Sequence, residues 1–302
     1  MTVRLLSNRR VASPLSAIDT HVAIEWILRV GAFLCFVGHG AFGIMTKQAW
    51  VPFFAVAGIG PKLAYELMPI IGVVDILLGA LALLRPRAAL LAYMVAWALW
   101  TAALRPLSGQ PFWELLERAG NYGVPLGLLL LTQTSRRART WFGPARVRPM
   151  TKTLALTLRL VLVAATALLL VGHGALALQG KQELVMHYGL FSTAVSGEKL
   201  APFIGWVEIA LAAFLIWRPT IGFCFFLFAW KFATESLFLL AGAPIWEVLE
   251  RGGSYAAPLA LALLVSSAPG WKWRRLPPLG KSTDDAVLAS TSEKTLANLS
   301  GH

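Results

Sequence analysis

The sequence predicts an all-α, polytopic membrane protein whose eight transmembrane helices form two parallel-repeat four-helix bundles. Three observations carry that prediction. The 302 residues are 57% apolar and 14% charged, with a mean hydropathy of +0.65, whereas a soluble domain carries roughly 25% charged residues. The apolar runs are about 18–22 residues long, which is what a helix needs to cross hydrocarbon at 1.5 Å per residue; barrel strands would alternate over about ten. The third observation is that the second half of the chain repeats the first.

In chain order, helices are expected at 24–44, 67–84, 88–105 and 112–132, then at 156–178, 201–217, 220–241 and 245–267. Arg85-Pro86 and Arg218-Pro219 separate the second span from the third and the sixth from the seventh, because proline ends a helix and arginine resists lipid. The resulting organisation is a cytoplasmic N-terminus (1–23), a first repeat (24–133), a basic cytoplasmic linker (134–155), a second repeat (156–268) and a cytoplasmic tail (269–302). That tail is rich in Ser, Thr, Lys and Asp, a composition expected to be disordered.

An even number of spans puts both termini on one side. That side holds 17 Lys and Arg residues against 7 on the other, where seven acids balance them, so the positive-inside rule makes both termini cytoplasmic in a plasma or inner membrane. The net charge of +12 is then an orientation signal that also meets anionic lipid headgroups. Nucleic acid is not an expected partner. No signal peptide is expected, since Arg4, Arg9 and Arg10 stand far ahead of the first apolar run. Cys35 and Cys224 lie within apolar runs and read as packing residues.

The repeat is unambiguous. Val37-Gly38-His39-Gly40-Ala41 recurs as Val171-Gly172-His173-Gly174-Ala175 at an offset of 134. At an offset of 133, Pro69, Gly72, Asp75, Arg85 and Pro86 match Pro202, Gly205, Glu208, Arg218 and Pro219, and Trp97 and Thr101 match Trp230 and Thr234. Trp113 to Arg118 matches Trp246 to Arg251, and Tyr122 and Pro125 match Tyr255 and Pro258. Four spans per repeat give both halves the same orientation, as in a fused homodimer with a pseudo-two-fold axis along the membrane normal.

The stretch from Arg29 through Val37-Gly38-His39-Gly40, followed by Ile71-Gly72-Val73-Val74-Asp75-Ile76-Leu77-Leu78-Gly79 through Arg85, resembles the first two helices of DoxX-like four-helix membrane proteins. Both repeats share the likeness. Where members of that family often carry a lysine one turn after the His-Gly, Lys47 and Lys181 here lie eight residues past the histidines. The resemblance implies a four-helix unit, usually one per chain, and an association with membrane redox systems, quinone-linked thiosulfate oxidation among them.

Ionisable residues within a span usually face protein or water and often mark function. In the fourth span, Glu114, Glu117, Arg118, Asn121, Tyr122 and Pro125 fall on one continuous stripe of a 3.6-residue helix, and Glu247, Glu250, Arg251, Ser254, Tyr255 and Pro258 repeat it. His39, Asp75 and Thr101, with His173, Glu208 and Thr234, lie at compatible depths. One polar cluster per half, open to the non-cytoplasmic side, is therefore expected. Its residues are candidates for ligand binding or proton relay, with ordinary i, i+4 ion pairing as the structural alternative. Lys231 and Glu235 form a further i, i+4 pair in the seventh span, where the first half has Ala98 and Ala102.

Three functions fit. In the first, a redox-associated membrane subunit binds a quinone or a small reduced substrate, with a membrane or soluble redox partner; the histidines and tyrosines supply hydrogen bonds or protons, Asp75 and Glu208 tune them, and Trp97, Trp113, Trp230 or Trp246 stack on a flat ring. Haem or metal held by His39 and His173 is a lesser expectation. A small-solute transporter is the second, disfavoured by the lack of a comparable polar stripe on the cytoplasmic side. The third is a non-catalytic scaffold acting through the basic linker and tail. Gly38-His39-Gly40-Ala41-Phe42-Gly43 fits G-x-G-x-x-G, but it lies inside an apolar helix with no preceding strand, so it is no dinucleotide motif.

Overall fold

Proline lacks the N–H that a helix start leaves unused, and Pro14 opens the first helix, α1 (Pro14–Ile44), in a computed structural model that describes residues 14–132, 138–145, 147–191 and 194–267. A 3₁₀ turn (Gln48–Trp50) leads into the short α2 (Val51–Val56). Pro61 then opens α3 (Pro61–Leu84), which ends at Arg85-Pro86, and α4 (Ala88–Leu107) follows. The first half closes with α5 (Trp113–Glu117) and α6 (Ala119–Leu131), and α7 (Ala138–Phe142) lies in the connector.

The second half runs through α8 (Lys152–Leu178), α9 (Gln182–Gly189), α10 (Gly197–Trp217), α11 (Ile221–Leu240), α12 (Trp246–Glu250) and α13 (Gly252–Ser266). Thr151 and Thr220 cap α8 and α11 by accepting from the Leu154 and Phe223 amides. Six helices (α1 from Thr20, α3, α4, α8, α10 and α11) are long and apolar enough to cross a membrane, whereas α6 and α13, at 13 and 15 residues, are shorter. α3 starts six residues before its expected position because Pro61 provides an earlier opening. The N-terminus before Pro14 and the tail at 269–302 lie outside the described residues.

The outer surface is the reverse of a soluble protein's. Along α3, Ile70, Val73, Val74, Leu77 and Leu81 are all exposed on one face, as are Phe203 and Trp206 on α10. Such apolar faces belong in hydrocarbon.

Inside, α1 packs on α3 and α8 on α10. The halves are also interleaved: α1 lies against α12 and α13, while α8 lies against α5 and α6. α6 and α13 cross where Gly120 meets Gly253, so closely that a Cβ on Gly120 would sit 2.6 Å from the Gly253 carbonyl carbon. Leu28, Leu91 and Leu128 share one apolar core with Leu158, Leu215 and Leu227, and the halves together make one compact unit. Cys35 and Cys224 are buried free thiols, as expected of packing residues.

The stripe expected on one continuous helix is interrupted. Arg118 and Arg251 leave helical geometry (φ −95°, ψ 14° and φ −90°, ψ 15°), splitting α5 from α6 and α12 from α13. A break of this kind strips carbonyls of their i+4 amide partners, which is costly in a low-dielectric setting. Side chains from the stripe replace those partners. Arg118 Nη1 donates to the Glu114 carbonyl (3.1 Å) and the Tyr122 hydroxyl donates to the Leu115 carbonyl (3.3 Å). Arg251 and Tyr255 serve Glu247 and Val248 in the same way (2.7 and 3.2 Å).

Candidate functional site

Each half brings its histidine onto the acid of the neighbouring helix. Gly40 of α1 and Gly72 of α3 let their backbones touch, and this places His39 Nδ1 2.8 Å from Asp75 Oδ2. The second half repeats the pair, with His173 Nδ1 2.7 Å from Glu208 Oε2. An ionised carboxylate only accepts, so Nδ1 carries the hydrogen and Nε2 is left for another partner.

Beyond that pair the halves differ. In the second, the longer Glu208 reaches on to accept from Trp230 Nε1 (3.1 Å) and Lys231 Nζ (3.3 Å). Lys231 also pairs with Glu235 (2.9 Å), Arg251 Nε pairs with Glu235 (2.6 Å), and the Tyr188 hydroxyl lies 3.1 Å from His173 Nδ1. The His173 side chain is 2% exposed, and Lys231 and Glu208 are fully buried. Tyr188 and its neighbour His187 stand in α9, the connection between α8 and α10. Burial, with the Glu208 carboxylate adding to it, pushes the Tyr188 phenol well above its ordinary pKa. Burial also lowers the His187 imidazole, against Glu183 which raises it. The His187 ring packs edge-on against Phe238 at 4.0 Å.

In the first half, the shorter Asp75 leaves its own Oδ1 and Trp97 Nε1 buried without partners. Ala98 and Ala102 replace Lys231 and Glu235, and at the offset of 134 that relates the two histidines Phe53 and Phe54 replace His187 and Tyr188. The space so vacated is a cavity enclosing about 880 Å³ of atom-free volume, its open side included. Trp50, Phe54, Trp97, Trp100, Ile71 and Leu104 form its apolar walls, and His39, Thr101, Arg105, Arg118, Asn121 and Glu250 contribute polar groups. The His39 side chain is 21% exposed and its ring stacks on Trp50 at 4.5 Å.

A second, charged recess of about 820 Å³ shares Trp50, Phe53, Arg105, Arg118, Asn121 and Glu250 with the first. It lies between the halves and is spanned by ion pairs that cross from one to the other. Lys47 meets Glu247 at 2.7 Å, while Lys181 meets Glu114 at 2.9 Å and Glu117 at 3.4 Å. The polar residues thus form one linked system rather than one cluster per half, because Lys47 and Lys181 each reach across to the broken helix of the other half. The i, i+4 pairs Glu114–Arg118 and Glu247–Arg251 are present within it (2.8 and 2.7 Å).

Of the residues expected at the site, His39, Thr101 and Arg118 line the aromatic cavity and Asp75 stands behind His39. Glu114, Glu117, Glu247, Glu250 and Arg251 line the charged recess. His173 and Glu208 lie in a filled, buried network, and Thr234 donates to the Trp230 and Lys231 carbonyls. Tyr122 and Tyr255 have their hydroxyls engaged at the helix breaks. Trp113 and Trp246 each pack into the other half's apolar cluster. Among the described residues no group of three or more His, Cys, Asp or Glu side chains is arranged to hold a metal ion. No family model, curated protein or solved structure matches the chain.

Proposed function

We propose that the chain is a DoxX-like membrane protein made of two fused four-helix units, and that it binds a flat, quinone-like ring in the first-half cavity as a redox-associated subunit of the plasma or inner membrane. In this reading α5–α6 and α12–α13 complete the eight spans as broken crossings, both termini are cytoplasmic, and the cavity opens on the opposite side. A membrane or soluble redox partner exchanges electrons with the bound ring, which supplies the redox chemistry.

The observation that carries this reading is the cavity itself: aromatic walls with few polar groups, His39 held by Asp75, and a neighbouring buried donor, Trp97 Nε1, without a partner. Apolar pockets with a few fixed polar groups are the usual form of a small-molecule site. The chain's own residues would hold the ring between tryptophans, present His39 to its oxygen, and keep bulk water out. The fit supports a ligand in the first half rather than at the lysine-filled equivalent in the second.

The test is titration of the detergent-purified protein with a decyl benzoquinone, followed by quenching of tryptophan fluorescence. Saturable quenching is expected. Ala98→Leu, which fills the cavity, is expected to weaken binding roughly tenfold or more, the equivalent of about 1.4 kcal/mol, without lowering the melting temperature. Unsaturable quenching, identical in Ala98→Leu, would reject the reading.

A further inference from the structure

The end of α12 places a carboxylate from the second half in the wall of the first half's cavity. A Cβ on Gly38, the residue before His39, would sit 2.2 Å from the Glu250 amide nitrogen, so a bare glycine is what admits this backbone beside the histidine. Glu250 is 6% exposed and lines both the aromatic cavity and the charged recess.

Its repeat counterpart, Glu117, is engaged through Oε2, which accepts from Arg118 Nη1 at 3.1 Å and pairs with Lys181 at 3.4 Å. Glu250 has no hydrogen bond or ion pair of its own among the described residues. Arg251 turns Nε to Glu235 and Nη1 to Glu247, and Lys47 also goes to Glu247. The diversion originates in Glu235, which stands where the first half has Ala102. Lys47, His39, Arg251 and Arg118 act on Glu250 only from beyond ion-pair distance.

A buried carboxylate that lacks a partner gains most from an incoming donor, and an ionised carboxylate can only accept. His39, its Nδ1 committed to Asp75, offers Nε2 as a second acceptor when neutral. The arginines on the same wall each turn Nη1 to groups outside the cavity: Arg118 to Glu114 and Glu117, and Arg105 to Gln110 and Glu114. Thr101 donates to the Ala98 carbonyl, leaving its oxygen to accept. A ring hydroxyl can donate to Glu250 and also accept from Trp97 Nε1, whereas a ring carbonyl can do only the second.

We infer that Glu250 is a specificity-determining residue that makes the first-half cavity select an apolar ring bearing hydroxyl donors, of the hydroquinone or phenol class, over the same ring bearing carbonyls. The inference rests on the reading of the cavity as a site for a quinone-like ring. Its test is anaerobic fluorescence titration of the intact purified protein with three probes: a decyl hydroquinone, the corresponding quinone and the hydroquinone dimethyl ether. The natural sequence is expected to bind the hydroquinone roughly tenfold or more tightly than the quinone or the ether. Glu250→Gln, which can donate as well as accept, is expected to lose that preference. The double variant Lys231→Ala/Glu235→Ala leaves Glu250 in place but releases Arg251 to pair with it, and is expected to lose the preference too, which covers the case of Glu250→Gln failing to fold. Equal affinity for hydroquinone and quinone in the natural sequence, or a preference kept by either variant, overturns the role of Glu250 while leaving the cavity reading intact. Binding of none of the three probes overturns both.

Discussion

The two histidine–carboxylate pairs occupy matching positions in sequence and share a geometry in space, yet one adjoins a cavity and the other is sealed. His39 and His173 sit at equivalent positions with Nδ1 on a carboxylate. The difference comes from a handful of substitutions around them. One added methylene at Glu208 and an ammonium at Lys231 draw Trp230, Glu235 and Arg251 into a buried network. Asp75, Ala98 and Ala102 leave the first half with empty space and unpaired polar atoms. The comparison teaches that the second half's charges act as filling, and that by drawing Arg251 away they also shape the first half's site.

The largest effects should separate the two acids. Glu208→Ala removes a partner of His173, Trp230 and Lys231 together and leaves the buried ammonium to Glu235 alone, a kind of loss that costs about 3–5 kcal/mol. Asp75→Ala removes a single partner beside an existing cavity and should cost less than half of that. Chemical unfolding in detergent, read by circular dichroism, measures both, and equal losses would break the comparison.

A smaller effect separates the two glycines that admit the broken helices. A Cβ on Gly172 would approach the Glu117 amide to 2.3 Å, as one on Gly38 approaches Glu250. Gly38→Ala and Gly172→Ala should each cost about 1–3 kcal/mol through overpacking. Gly38→Ala alone should also weaken the ring ligand, since it displaces Glu250 from the cavity wall.

Much of the architecture was legible in the sequence. The apolar runs and the Arg-Pro stops mark helices that form near their expected positions, because they depend on local chain properties. The helix breaks at Arg118 and Arg251 were not, since a one-residue interruption leaves the 3.6-residue pattern of Glu114, Glu117 and Asn121 intact. The roles of Tyr122 and Tyr255 follow from those breaks and were hidden with them. Lys47–Glu247 and Lys181–Glu114 depend on how the halves dock, which no local periodicity records. The isolation of Glu250 required knowing that Glu235 competes for Arg251. α2 and α9 are too short and mixed in character to announce themselves, so the contact of Tyr188 with His173 went unseen.

The smallest effect concerns pH. Burial lowers the pKa of His187 from 6.5, so the folded protein binds fewer protons at this ring than the unfolded chain does. Its contribution to stability is therefore present above pH 6.5 and is lost as the pH falls below it. His187→Phe, which installs the first half's residue, should flatten the decline of the melting temperature below pH 6.5. An unchanged slope would remove His187 from the account.

The asymmetry between the halves is tested most directly by the stoichiometry of ring binding, measured by isothermal titration of the purified protein with a decyl hydroquinone. The account predicts one ligand per chain, held roughly tenfold or more weakly by Ala98→Leu. Two ligands per chain, or one that Ala98→Leu binds as tightly as the natural sequence does, would contradict it.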